Sequence, residues 1–157
     1  MESKNILFKN PNMSRLKDFL EKHHAVVVTD GPDSLRVDDV QAVDARVMMA
    51  YRDFPDLDSI IVKVKSMQDH PEANFCELLH LVNHINEADN PGKFAIDATD
   101  FSLLFTRYYT NYVLRVMDFH QLLADVLIPF SQCEEMVNAV AQGKSVDEVL
   151  AKLDDQD

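Results

Sequence analysis

Apolar positions recur at helical spacing near the start of the chain, alternate through its first half, and return to helical spacing towards the end. Leu16, Phe19 and Leu20 fall on one face of a helix that Asn12 is placed to cap, since its side-chain oxygen can accept an orphan amide bond. That helix is expected to stop near His23 and His24, with residues 1–11 as a leader before it. Residues 25–29 are β-branched and apolar and predict a strand. The turn residues Asp30, Gly31, Pro32 and Asp33 then send the chain back along residues 34–37. Residues 38–44 are acidic and show no period. In residues 46–52, Val47, Met49 and Tyr51 alternate with Met48 and Ala50, and Pro55 ends the run. Residues 59–67 make the clearest strand. Ile60, Val62 and Val64 face one way and Ile61, Lys63 and Lys65 the other, so the lysine side is predicted to be solvated or near a sheet edge.

The second half predicts a helix over 71–88, begun by Asp69, His70 and Pro71, with Phe75, Leu78, Leu79, Val82 and Ile85 as its buried stripe. Asn90, Pro91 and Gly92 end it. A hairpin follows, pairing 93–96 with 101–108 around Asp97–Asp100. Residues 114–140 keep one broad apolar face through Val116, Phe119, Leu123, Val126, Leu127, Phe130 and Val137, with a kink or break expected at Pro129. Gly143 stops that helix, and Ser145 to Glu148 form a capping-box pattern for a last short helix to Leu153, before an acidic tail. The order is helix, three or four strands, helix, two strands, long helix, short helix. This is an α+β fold with a mainly antiparallel sheet covered by helices, in one domain.

The 157 residues suffice for a single core, and 46% hydrophobic content argues against disorder. Fifteen basic against 27 acidic residues give a formal charge of -12. Such a field disfavours nucleic acid and anionic membrane surfaces, and favours partners that are basic or carry exposed apolar segments. No signal peptide or membrane span is expected. Cys76 and Cys133 read as buried free thiols, so the expected compartment is a reducing cytoplasm.

The segment Phe75-Cys76-Glu77-Leu78-Leu79-His80-Leu81-Val82-Asn83-His84-Ile85-Asn86, the small hairpin after Gly92 and the long striped helix after it resemble the YbjN family of bacterial sensory transduction regulators. That family has the type III secretion chaperone-like fold, in the order α-β-β-β-α-β-β-α, here with a short C-terminal helix added. The resemblance spans roughly residues 13–141. It implies a homodimer without an enzyme active site, and Asn86 matches a recurrent position of the family. Asn86 itself reads as a helix-end residue whose amide satisfies nearby backbone groups.

Candidate chemistry is sparse. His80 and His84, one helical turn apart and flanked by Glu77 and Glu87, would bind zinc if a third ligand arrived, but they fit a solvated face better. His23 suits a helix end, and His120 a half-buried position. Three scattered glycines cannot make a phosphate loop. The expected activity is therefore non-enzymatic, with no cofactor: a regulator or chaperone-like adaptor that holds an apolar segment of another protein. A dedicated secretion chaperone is the nearest alternative, and a metal-binding sensor or enzyme using His80 and His84 the more distant one. Met48, Ile61, Tyr108, Tyr109 and Tyr112 are the expected partner-binding residues, because exposed tyrosine and adaptable methionine make good anchors.

Overall fold

A computed structural model of the chain describes residues 8, 10–23, 26–29, 31, 33–38, 43–54, 57–88 and 91–155, of which 52–54, 57, 58 and 154 are described for the backbone alone. The elements are α1 (Pro11–Lys22), β1 (Val27–Thr29), β2 (Ser34–Val37), β3 (Ala45–Phe54), β4 (Leu57–Ser66), α2 (Phe75–Glu87), β5 (Lys93–Ile96), β6 (Leu103–Thr110), α3 (Asn111–Val116), α4 (Phe119–Ala141) and α5 (Val146–Asp154). Four strands precede α2, one more than in the order that the resemblance implies. Antiparallel pairing gives one open six-stranded sheet in the order β1-β2-β3-β4-β6-β5.

Strand alternation decides where the core lies. Val47, Met49, Ile60, Val62, Val64, Phe105 and Tyr109 all point to one face, where they are buried with Leu16, Leu78, Leu122 and Phe130 from the helices. The opposite face carries Met48, Ile61, Lys63, Lys65 and Tyr108. Among the described residues no helix packs on the lysine side of β4, which is here called the uncovered face, although Ser59 and Ile61 on it are themselves buried. That side is not an edge, because β4 pairs with both β3 and β6.

Capping chemistry shifts several predicted boundaries. Asn10, not Asn12, caps α1 and accepts from the Asn12 amide at 2.8 Å. Asn12 is buried, and its carboxamide donates to Asn111 at 3.2 Å, joining α1 to α3. The expected leader is structured where it is described, since Phe8 packs into the core. Helix α2 begins four residues later than predicted. Asn74 accepts from the amides of Cys76 and Glu77, while Pro71 lies in a turn closed by Ala73 donating to the His70 carbonyl. Leu81, omitted from the predicted stripe, is fully buried. Strand β6 starts at Leu103 rather than at Phe101, which stands at φ 58 in the turn and stacks on Phe75.

The long C-terminal run breaks where the sequence reading did not place a break. Asp118 caps α4 by accepting from His120 at 2.9 Å, so α3 ends at Val116, and Val116 is exposed instead of belonging to the apolar stripe. The Asp118-x-x-Gln121 spacing was a legible cap signal. Helix α4 continues across Pro129. Proline has no amide to bond the carbonyl one turn back. That carbonyl belongs to Asp125, and it accepts from the Arg107 guanidinium at 3.3 Å instead. Gly143, at φ 103, closes α4, with its amide on Val140 and that of Lys144 on Ala139. Ser145 caps α5 by accepting from Glu148, as predicted. The predicted turn at 30–33 and the acidic stretch 38–44 lie partly outside the described residues, as do Pro55, Asn90 and the end of the tail.

Candidate partner-binding surface

Met48, Ile61 and Tyr108 come together on the uncovered face. Ile61 stands opposite Ala50 on β3 and Tyr108 on β6, so an apolar row crosses three central strands. Met48 lies one row along, opposite Lys63. A depression of about 210 Å³ opens between Ser34, Met48, Ala50, Ile61 and Lys63. Ile61 forms its floor and is itself nearly covered by its neighbours, at 7% exposure, while Tyr108 stands out at 59%.

The tyrosine run separates. Tyr109 is not a surface residue: alternation points it to the helix side opposite Ile60, where it is 3% exposed. Its ring lies under the Arg107 guanidinium, 4.8 Å from the centroid, and burial pushes its hydroxyl up to about 12. Arg107 also sits 3.8 Å from the Asp125 carboxylate, which fastens β6 to α4. Tyr112 is exposed, but on α3, beside the exposed Val113 and Val116.

Charge on the uncovered face differs from that of the whole chain. Arg36, Arg46, Lys63, Lys65 and Lys93 project from it, on β2 to β5. Asp38 neutralises Arg36 and Arg46, and those contacts hold its carboxyl below the ordinary range, with the Arg36 hydrogen bond first among the causes. Asp97 and Asp100 flank Lys65 at 3.0 and 3.1 Å. Asp100 is held down to about 2, first by the Ser102 hydroxyl and amide and then by Lys65. Lys63 is exposed and has no partner among the described residues, and Lys93 donates to the Asn86 carbonyl at 3.2 Å.

Asn86 is, as expected, a helix-end residue whose amide satisfies nearby backbone groups. Its carboxamide accepts from the Phe94 amide and donates to the Phe94 carbonyl, both at 2.8 Å. It therefore stands where a neighbouring strand would pair with the outer edge of β5. Reasoning from sequence missed Glu134, which is buried in α4 and accepts from the Ser66 hydroxyl. Burial raises its carboxyl, the Ser66 bond lowers it, Asp44 raises it and His70 lowers it.

The histidine pair lies on the exposed face of α2, and no group of His, Cys, Asp or Glu among the described residues is arranged to hold a metal. Cys76 is exposed, contrary to expectation, because it sits in the first turn of α2 beyond the buried stripe. Cys133 is buried, and its thiol is pushed up to about 12 by burial and by Glu134. His120 is exposed rather than half-buried and meets Phe19 and His23 edge-to-face where the end of α1 adjoins the start of α4. No described helix is long and apolar enough to cross a membrane. Comparisons with family models, curated proteins and solved structures find no match to this chain.

Proposed function

We propose that this chain is a non-enzymatic protein-binding regulator or chaperone-like adaptor whose uncovered sheet face holds an apolar segment of a partner protein. The observation that carries this reading is the one-sided sheet. The helices shield one face, while on the other Met48 and Ile61 line a mostly apolar depression and Tyr108 stands exposed beside Ile61. Sheets with one open face are common, but that face is usually polar along its length. A row of isoleucine, alanine and tyrosine across three strands is the kind of surface an extended apolar segment can cover. The element order supports the same reading, because a helix, a strand meander, a second helix, a hairpin and a long helix follow each other as in the secretion chaperone-like arrangement that the resemblance implies. The homodimer implied by that resemblance belongs to the proposal, as does membership of the YbjN family.

The test is photocrosslinking in producing cells from a photoreactive phenylalanine analogue at position 108, with position 148 on α5 as control. A discrete adduct with one polypeptide from position 108 only is the expected result. Equal labelling from both positions would sink the proposal.

A further inference from the structure

The uncovered face sits on a chain with a formal charge of -12, yet Lys63, the ionised side chain at its centre among the described residues, is cationic. The lateral row through the apolar depression's edge runs Arg36, Met48, Lys63, Thr106, Lys93, by strand register. The carboxylates that reach this side, Asp38, Asp97 and Asp100, engage Arg36, Arg46 and Lys65 at its margins. Lys63 is left exposed beside Ile61 and Met48, with no carboxylate of its own among the described residues. An apolar floor bordered by an unneutralised ammonium suits one kind of occupant. We infer that this face binds an extended polypeptide segment whose apolar centre is flanked by aspartate or glutamate, the apolar side chains resting on Ile61, Met48 and Tyr108 and a carboxylate meeting Lys63.

This rests on the proposed role of the open face and adds the charge of the partner. It reverses what the chain-wide charge suggests. A long-range acidic field slows acidic partners on approach, but the contact itself is governed by charges within a Debye length. A second copy of the chain is the weaker candidate for this face, because stacking two such faces places cationic rows against each other.

Labelled short peptides provide the test, read by fluorescence anisotropy on the full chain. One has an isoleucine-rich centre with aspartate flanks, one the same centre with lysine flanks, and one a serine centre with aspartate flanks. The first is expected to bind, and Lys63→Glu to weaken it by about tenfold, roughly 1.4 kcal/mol, with added salt acting in the same direction. Equal binding of the lysine-flanked peptide, or no effect of Lys63→Glu, would overturn the charge inference and leave the open-face reading standing. If neither apolar peptide binds, or if binding survives Tyr108→Asp, the open-face reading itself falls. A dimer in sedimentation that Tyr108→Asp dissociates would assign the face to self-association and overturn the inference.

Discussion

Asn86 pairs with both polar groups of the Phe94 backbone and so occupies the outer edge of β5. An uncovered edge strand offers its amides and carbonyls to any other chain. Asn86→Ala is therefore expected to leave that pair unmet and to promote edge-to-edge association, seen as a concentration-dependent rise in mass by light scattering; a variant that stays at the parent's mass across the same range would show that the edge is protected otherwise. Glu134 makes a second residue-scale case. Its folded carboxyl is raised by burial, so its ionisation costs stability. The penalty is absent below the ordinary value of 4.5 and grows as pH rises through the raised value. Glu134→Gln keeps an acceptor for Ser66 and removes the charge. Its melting temperature should exceed the parent's at neutral pH and match it in acid, and a constant difference across the range would refute this.

The elements are held by polar contacts as much as by apolar stripes. Helix α4 tolerates Pro129 because Arg107 on β6 takes over the Asp125 carbonyl that the proline strands. Arg107→Met should cost about 1–3 kcal/mol in the parent, the typical penalty for a buried acceptor left unmet. In Pro129→Ala the carbonyl regains a helical donor, so the same substitution should cost less. Urea melts of the four-protein cycle measure this coupling, and additive costs would show that the two residues act independently. A similar relay links α1 and α3. The α3 carbonyl at Leu114, left without a helical donor by the break before Asp118, accepts from Arg15 at 3.4 Å. Gly92 has a packing role in this layer, since a Cβ there would lie 2.2 Å from the Phe105 ring.

At the scale of the whole molecule, two of the apolar surfaces exposed among the described residues differ in kind. The sheet face is cationic and apolar. Helix α3 presents Tyr112 and Val116, 78% and 79% exposed, with Val113 between them. The proposed homodimer is expected to use α3, where Tyr112, Val113 and Val116 are exposed together. Val116→Asp should then shift sedimentation from dimer to monomer without lowering the melting temperature of the monomer, whereas a dimer insensitive to this change would point to another surface.

The strands and most helices were legible in the sequence, because alternation and helical spacing are local properties of the chain. Strand β2, strand β5, the Gly143 stop and the Ser145 cap fall where the pattern puts them. The boundaries that moved depended on which of several competent residues won the cap. Asn10 and Asn12 both donate to Asn111, at 2.9 and 3.2 Å, and Pro11 in the first helical position leaves Asn10 as the cap. Alternation on a strand parts Tyr108 from Tyr109 but does not say which of them faces out. That was fixed when β6 paired with β4 in a register that sets Tyr109 beside Ile60 and Tyr108 beside Ile61. The sequence by itself determined the α+β class, the two-sidedness of β4 and the apolar stripes. Only the tertiary structure decided that all the helices take one face, that Arg107 rescues α4 at Pro129, and that cations gather on the open side of an acidic chain, because each of these depends on contacts between residues far apart in sequence.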